Sequence, residues 1–596
     1  MHTIYDILID LWRQRIAWFW PIWVSLTIMA TFSTAWLVGR AGGALPVQTR
    51  KAPMNPGATT QSGWSRSVWL AVVLFGLFLV CYIVLIFVWE DFAYYDGCNF
   101  TLFTLKNHNI DAPIWTGAGR FFPLAYQEFN LIRHFSSSIA GYHALPVLQL
   151  LLVCFILLIF DRDLGPKARV CLAACALLAP GVVISFGGLV FPERNVLFWL
   201  LCLAIFVRRF DRTQSTAAAV AAIVCAQFML YYKETAFLFL WGFAAGRLLW
   251  RCRNDDRLGW DFGRLREKAS CLDLCLASLG LVFLLYYAAV MFRATGLEYA
   301  RQARLPELTV LISYIEADLL AWLFVVVVIG RAYLIWKHRI RPSPFWEGLA
   351  YGGLAYFAGF LCLGMFSAYY LAPVDVIAVL YVGRCVILSW ANQHWGIKIA
   401  MVIVFCGVLI QNVSLSAFHE IKRKNLIHAK AEIASVIQEQ YQLGAGTTPR
   451  LFFPFANRYV MVDFGAYLSY REVPVEGLES KSAGGTSVIM VSPAMTKDGR
   501  FLDYRSIIGH AGHVPEPGDL VILMPDDYAS LADVGPYLRG GNTIFSYEPR
   551  PQIPRWWWLL MRQLHIIFPP WENKPPTDHW LQASVTVWNG MSQPKP

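Results

Sequence analysis

The feature that most constrains this chain is the recurrence of long apolar runs. A helix needs roughly 20 consecutive apolar residues to cross the hydrocarbon core of a bilayer. Hydrophobic residues make up 57% of the 596 positions and charged residues only 15%, which excludes a soluble enzyme, a disordered chain and a small disulfide scaffold. We therefore predict a polytopic α-helical membrane protein with about 11–13 transmembrane helices. The runs fall at 16–38, 67–89, 144–160, 170–191, 196–207, 216–232, 235–250, 271–292, 308–330, 348–366, 374–392 and 399–417.

Lysine and arginine are unequally divided between alternate loops, which predicts the orientation of the chain. One set of loops carries 22 basic residues and the alternate set carries 9. Because basic loops stay in the cytoplasm, the first set should be cytoplasmic and the second should face the periplasm or lumen. The basic set is 40–66, 162–169, 208–212, 247–268, 331–341 and Lys398. The alternate set is 90–143, 192–195, 233–234, 293–307 and the segment up to Arg384.

The composition fits a bacterial inner membrane, although an enzyme of the endoplasmic reticulum stays open. The first run, 16–38, is ambiguous, because Arg13 and Arg15 would lie outside if it spans fully. A hairpin or an interfacial helix is the alternative for that run.

The character of the chain changes at about residue 419. Residues 419–442 have the pattern of an amphipathic helix near the membrane, and short β-rich runs separated by Gly, Pro and Asp follow. The aromatic segment 555–560 is typical of an interfacial anchor. We predict a transmembrane domain over 1–418 and a periplasmic or luminal, soluble α/β domain over 419–596.

The strongest candidate site is an acidic segment at the outer end of the second run. Glu90, Asp91 and Asp96 lie where that run leaves the membrane. A carboxylate there could act as the general base on an acceptor hydroxyl. The alternative is that these residues cap a helix end and face water.

Charged residues in later external segments are candidates for binding an anionic substrate. Arg120 follows a Gly-rich turn and could bind phosphate bidentately or anchor the interface. The 192–195 turn holds Glu193, which is either a site residue or part of a self-paired turn. Lys233 and Glu234 interrupt an apolar stretch, so they either bind a lipid phosphate and a sugar or form a local ion pair.

Further arginines break the positive-inside trend and indicate an anionic partner. Arg293, Arg301 and Arg304 lie in one external loop, where a polyprenyl phosphate or ordinary lipid head groups could bind. Arg384 is isolated in an apolar run and either snorkels or binds phosphate.

The order and common sidedness of these motifs resemble the GT-C superfamily of integral membrane glycosyltransferases. Its members have many transmembrane helices, an acidic motif in the first external loop and often a C-terminal external domain, and they use lipid-phosphate-linked sugars. The resemblance covers roughly residues 67–415. It implies that Asp91, beside Glu90, is the catalytic base and that Glu193 is a second acidic residue in the next external loop.

Two further motifs carry the resemblance. Lys233-Glu234 is similar to the Lys-Glu motif of several polyprenyl-phosphate-sugar users. Gly383-Arg384 resembles a signature at the outer end of a late helix, although Cys385 replaces its aromatic residue. The implied substrate-binding residues are Asp96, Arg120, Lys233, Glu234, Arg293, Arg301, Arg304 and Arg384.

The implied reaction is an inverting sugar transfer from a polyprenyl-phosphate donor to a glycan, lipid or protein hydroxyl on the outer face. We predict no cofactor and no nucleic-acid partner; a divalent metal is the alternative, because three carboxylates are close in sequence. A lipid-linked glycan ligase or polymerase is a rival, although the late loop at 367–375 carries only Asp375. A secondary transporter or flippase is another, which predicts inverted repeats and broken helices that the sequence does not reveal.

Overall fold

A computed structural model describes most of the membrane half of the chain and parts of the tail. The acidic segment with Glu90, Asp91 and Asp96 lies outside the described residues, as does the loop with Arg293, Arg301 and Arg304. The aromatic segment 555–560 is also outside them. The described residues are 18–41, 66–88, 100–101, 104–105, 109–115, 119–253, 261–291, 306–443, 451–453, 464, 467–468, 471, 473, 488–489, 516–523, 540–548 and 583–589.

The described part of every predicted apolar run is helical over most of its length. Within the described residues, seven helices are long and apolar enough to cross a membrane, or eight if one bent pair is a single span. The protein is therefore a polytopic helical membrane protein. The helices are α1 (Phe19–Arg40), α2 (Arg66–Val88), α3 (Gln127–Ile132), α4 (Ile139–Phe160), α5 (Pro166–Leu177), α6 (Pro180–Gly187), α7 (Glu193–Thr213), α8 (Thr216–Tyr232), α9 (Ala236–Cys252), α10 (Lys268–Met291), α11 (Glu307–Ala317), α12 (Leu319–Trp336), α13 (Pro344–Leu363), α14 (Ala372–Ser389) and α15 (Trp395–Leu443).

Two apolar runs that the sequence predicts as single helices are each divided into two helices in the structure. The run at 170–191 is divided between α5 and α6, which meet at a bend of 66°. The run at 308–330 is divided at Asp318, whose carboxylate accepts a hydrogen bond from the amide of Ala321 at 2.9 Å and so caps α12. An acidic N-cap satisfies an otherwise unpaired amide at the start of a helix. The sequence did not reveal these two breaks.

An ion pair and a hydrogen bond show that the described parts of the basic loops share one end of the helix bundle. Arg208, at the end of α7, pairs with Asp161 at 2.8 Å. Arg253 donates to the carbonyl of Trp336 at 3.0 Å. These contacts join segments that the positive-inside rule grouped together, and we call this end the arginine end.

The alternate segments meet at the opposite end, which we call the Lys233 end. Lys233 pairs there with Glu193, at the start of α7. The ring of Tyr370, just before α14, lies 4.7 Å from the Lys233 ammonium. The grouping of loops into two faces therefore agrees with the contacts, apart from one residue.

That residue is Arg384, which lies at the arginine end. Its guanidinium pairs with Asp161 and with Asp163, the latter at 3.4 Å. Because α14 starts beside Tyr370 and rises about 1.5 Å per residue, Arg384 lies about 20 Å farther along the bundle. The expectation of an outer position for Arg384 is corrected, and its location strengthens the charge asymmetry between the two ends.

The first helix is straight and spans the bundle. Phe19 packs beside Phe121 and Tyr231 at the Lys233 end, with ring centroids 6.5 and 5.9 Å apart. The helix then runs 22 residues to Arg40, a length of about 33 Å. A hairpin over this run is therefore excluded; Arg13 and Arg15 lie outside the described residues.

Helices α9 and α13 approach most closely, through glycines spaced four apart on both. A Cβ atom on Gly246 would lie 3.0 Å from the Cα atom of Gly348. One on Gly352 would lie 2.9 Å from the carbonyl oxygen of Phe239. Small residues at this spacing let transmembrane backbones touch.

The last helix leaves the bundle and enters the tail. α15 has 49 residues and is about 74 Å long, so it continues well beyond its apolar first half. Its distal half buries Ala429, Ile433 and Ile437 against strands of the tail. The expected helix at 419–442 is therefore the continuation of the final apolar run.

The described tail contains five strands in one mixed sheet. Their order is β4-β3-β5-β7-β6, with β3 and β5 parallel and the other pairs antiparallel. The hydroxyl of Tyr547 donates to the side chain of Asn425 on α15 at 2.9 Å. The strands are β3 (Leu451–Phe453), β4 (Val488–Ile489), β5 (Leu520–Leu523), β6 (Gly541–Tyr547) and β7 (Ala583–Trp588); β1 (Ile114–Trp115) and β2 (Arg120–Phe121) form a separate hairpin.

Candidate active site at the Lys233 end

A buried ion pair lies at the centre of the Lys233 end. The Lys233 ammonium is 2.7 Å from the Glu193 carboxylate, and the two side chains are 5% and 0% exposed. Lys233 is in the break between α8 and α9, and Glu193 begins α7. A carboxylate in the first turn of a helix is stabilised by the positive end of the helix dipole. The tertiary fold thus brings together two charged segments that are 40 residues apart.

A second ion pair lies in the same break. Arg120, on the β1–β2 hairpin, donates to Glu234 and lies 4.6 Å from the ring centre of Phe122. The hairpin segment is tied to the bundle by a hydrogen bond from the Leu124 amide to the Tyr231 carbonyl. The hydroxyl of Tyr287 also donates to Gly119 at 3.1 Å. Arg120 and Glu234 are thus held by the rigid ends of α8 and α10.

A third polar group surrounds Arg194, which the sequence analysis did not choose. Arg194 is 1% exposed and pairs with Glu128 at 3.1 Å. It also donates to Gln149 on α4 at 3.1 Å, and to two backbone carbonyls. Asn195 donates to Glu128 at 3.0 Å. This network locks the turn that positions Glu193.

Glu128 and Gln149 are the residues that sequence reasoning missed. Gln149 did carry a signal, since it is an isolated amide within the apolar run 144–160. A buried polar side chain requires a hydrogen-bonding partner, so its presence indicates a polar contact between helices. Glu128 carried no comparable signal, because both polar and apolar residues flank it in the sequence.

The described charges of this site balance. Three cations, Arg120, Arg194 and Lys233, face three carboxylates, Glu128, Glu193 and Glu234. A ligand phosphate would therefore need either an opening of one ion pair or cations from elsewhere.

Several carboxylate oxygens at the site lack a hydrogen-bond donor among the described residues, and the Oε2 atom of Glu128 is one of them. The Oε2 atoms of Glu193 and Glu234 are buried and accept no hydrogen bond from any residue that the structure describes. A buried carboxylate oxygen without a donor is unfavourable, and hydroxyl groups are suitable donors. Ligand hydroxyl groups are one source of the donors that these carboxylates lack among the described residues.

Of the predicted site residues, the structure gathers Arg120, Glu193, Lys233 and Glu234 and separates Arg384 from them. The remaining predicted residues, Glu90, Asp91, Asp96, Arg293, Arg301 and Arg304, lie outside the described part of the chain.

Metal ligands are not grouped within the described segments: His, Cys, Asp and Glu form no cluster of three or more there that could hold an ion. The prediction that the protein needs no metal therefore stays a prediction.

No protein-family model matches the chain, and no curated protein matches it either.

Proposed function

We propose that the chain is an integral membrane glycosyltransferase of the GT-C type. It would transfer a sugar from a polyprenyl-phosphate donor to an acceptor hydroxyl at the Lys233 end. The observation that carries this proposal is the pairing of Lys233 with Glu193 beside Arg120 and Glu234 at one end of the bundle. A donor of this kind keeps its polyprenyl tail in the bilayer and presents its phosphate and sugar at the membrane edge, where the Lys233 end lies.

Each described residue has a role in this proposal. Once its pair with Glu193 opens, Lys233 neutralises the phosphate as negative charge develops on it during departure. Glu193 holds Lys233 in place, and the free Oε2 atoms of Glu193 and Glu234 accept hydrogen bonds from sugar hydroxyls. Arg120, which lies at the rim on its hairpin, contributes a bidentate donor.

The reaction would proceed by direct displacement. The acceptor oxygen forms a bond to the anomeric carbon while the bond from that carbon to the phosphate oxygen breaks. The acceptor proton passes to Asp91, and polyprenyl phosphate leaves as the anion. One base and one displacement predict inversion at the anomeric carbon, and no second catalytic carboxylate is required.

The surroundings of the site follow from the same proposal. With the arginine end in the cytoplasm, the Lys233 end faces the periplasm of a bacterial inner membrane. The acceptor is then a glycan, lipid or protein on that side. The tail, 419–596, would be a soluble α/β domain on the same side, because α15 carries it away from the Lys233 end.

The direct test is a transfer assay with a short-chain polyprenyl-phosphate sugar and membranes that contain the full chain. Asp91→Asn should abolish transfer without loss of protein, and Asp111→Asn, an exposed carboxylate in the same external segment, is the matched control. Lys233→Ala should weaken donor binding. Retained turnover in Asp91→Asn would reject the base, and unchanged donor affinity in Lys233→Ala would remove Lys233 from the phosphate site. Mass spectrometry of surface glycans from cells with and without the chain would identify the acceptor.

A secondary transporter is the second candidate, and one observation favours it. The broken pair α5–α6 places the amide of Gly181 at 3.2 Å from the buried carboxylate of Asp375. Half-helix ends beside buried charged groups form the substrate sites of many transporters. Flux of labelled polyprenyl-phosphate sugar across proteoliposomes, without bond cleavage, would favour this function over transfer.

A further inference from the structure

A cavity at the arginine end lies far from the candidate active site. Its volume is about 240 Å³. It is separated from Lys233 by most of the length of α14, about 20 Å. Its walls come from the ends of three helices, and they include Arg331, Ser343, Trp346, Arg384, Leu388 and Ser389. The cavity is unrelated to the sugar-transfer site, and nothing in the proposed reaction uses it.

Buried carboxylates fix the arginines that face this cavity. The Nε of Arg331 donates to Glu347 at 2.8 Å, and Glu347 is 1% exposed. The hydroxyl of Tyr381 donates to the other oxygen of Glu347 at 2.6 Å. Each oxygen of Glu347 therefore accepts one hydrogen bond, and Glu347 holds the Nε of Arg331, a residue that lines the cavity. An arginine has five N–H donors, so most of those on Arg331 remain available.

Arg384 is held in the same manner. Its guanidinium lies 4.8 Å from the ring centre of Trp346 and pairs with Asp161, which Arg208 also contacts. Burial alone would raise the pKa of Asp161, but the two arginines hold that pKa below its usual range. Asp161 therefore stays ionised, and Arg384 stays oriented. Two guanidinium groups thus line one cavity, and none of its described lining residues carries a carboxylate.

We propose that this cavity binds the phosphate head group of an anionic membrane lipid. Arginine donors match phosphate oxygens bidentately. The hydroxyl of Ser343 can supply a further donor, whereas that of Ser389 donates to the Val386 carbonyl at 3.2 Å. The positive end of α13, which begins at Pro344, favours an anion. Leu388, 53% exposed at the rim, offers an apolar path for acyl chains. The ligand is a lipid because the cavity opens at the basic face, where anionic lipids accumulate.

The test is native mass spectrometry of the full chain in detergent with one added probe at a time. The probes are phosphatidylglycerol, phosphatidylcholine with the same acyl chains, and inorganic phosphate. We expect one tightly bound phosphatidylglycerol, with phosphatidylcholine bound at least about tenfold more weakly, because its zwitterionic head group is less attractive to two arginines.

Two cavity variants and one control variant test whether the lipid binds in this cavity. Arg331→Gln combined with Glu347→Gln removes the cation without leaving a buried carboxylate unpaired, and Ser389→Phe fills the cavity without changing charge. Each should weaken phosphatidylglycerol binding by roughly tenfold. Arg212→Gln is the control, since Arg212 is half-exposed at the same end and is not part of the lining.

The outcomes separate the alternatives. Loss in both cavity variants with no change in Arg212→Gln supports the lipid site, and Ser389→Phe alone decides if the double variant does not fold. Equal losses in the Arg212→Gln control, or none in Ser389→Phe, would overturn it. Displacement of phosphatidylglycerol by millimolar inorganic phosphate, with phosphate itself bound, would assign the cavity to a soluble anion instead. Sugar transfer does not enter these measurements, so the failure of either proposal leaves the other intact.

Discussion

At the scale of single residues, the Lys233 end depends on charges that are costly to bury. Taking a lysine and a glutamate out of water is unfavourable by several kcal/mol per ion, and only a close partner offsets it. Lys233 and Glu193 meet at 2.7 Å with almost no exposure. Neither residue is therefore replaceable alone, whichever reaction the site performs.

Glu193→Gln should destabilise the protein by about 3–5 kcal/mol, because it leaves the Lys233 ammonium buried without a counter-charge. Unfolding in detergent, followed by circular dichroism, measures this. Glu193→Gln combined with Lys233→Met should recover most of the stability and still lack sugar transfer. Glu439→Gln, at an exposed position on α15, should stay within about 0.5 kcal/mol of the unchanged protein. A single variant as stable as that control would show that the pair contributes little.

Arg194→Lys should also be destabilising, by about 2–4 kcal/mol, although it preserves the charge. The reason is that Arg194 donates to Glu128, Gln149 and two carbonyls in different directions, which an ammonium cannot reproduce. The shift in thermal unfolding is the measurement, and Arg212→Lys at a half-exposed arginine is the matched control. Equal shifts in the two variants would contradict a specific role for the guanidinium.

At the scale of elements, α9 and α13 cross in close backbone contact. Gly242 and Gly246 on one helix face Gly348 and Gly352 on the other. Without a hydrophobic driving force between helices in lipid, such close packing is a principal source of association. The crossing matters for function because α9 begins just after Lys233 and Glu234.

Gly352→Leu should force α9 and α13 apart, because its Cβ atom would meet the Phe239 carbonyl at 2.9 Å. We expect a loss of about 1–3 kcal/mol, together with reduced sugar transfer. Gly330→Leu on α12 is the control, since nothing lies within 4 Å of its Cβ position. The measurement is the melting temperature of both variants in the same detergent. Equal melting temperatures would contradict a close-packed crossing of α9 and α13.

At the scale of the whole molecule, the two ends differ in charge. The arginine end contains the described basic loops and, in addition, Arg384, whereas the three cations of the candidate site at the Lys233 end are matched by three carboxylates. The positive-inside rule then predicts that the arginine end is cytoplasmic. The proposed outer-face reaction depends on this orientation.

Cysteine labelling in intact cells tests the orientation. In a Cys98→Ser background, Ser137→Cys should react with a membrane-impermeant maleimide added from outside, and Lys167→Cys should react only after the membrane is opened. Both positions are exposed. Ser137 lies just before α4, and Lys167 is in the first turn of α5, beyond the other end of α4. The reverse pattern would place the Lys233 end in the cytoplasm, and it would remove the outer-face reaction from consideration.

The sequence alone determined the class of the protein and the division of its loops between two faces. Apolar length and the count of arginines and lysines are properties of single segments, and the bilayer acts on each segment separately. The same reasoning predicted that Arg120, Glu193, Lys233 and Glu234 share a face. The glycine spacing on α9 and α13 was also readable, although only the structure showed that the two motifs face each other.

Only the tertiary structure decided which charge meets which. Lys233 was open to a local pair with Glu234, but it pairs with Glu193, and Glu234 pairs with Arg120 instead. Arg384 lies at the arginine end and not at the predicted outer end. The reason is that α14 begins beside Tyr370 at the Lys233 end and carries Arg384 along the bundle to Asp161. Pairing distances of 3–4 Å depend on how helices rotate and slide against one another, and a hydropathy pattern defines neither to better than a turn of helix.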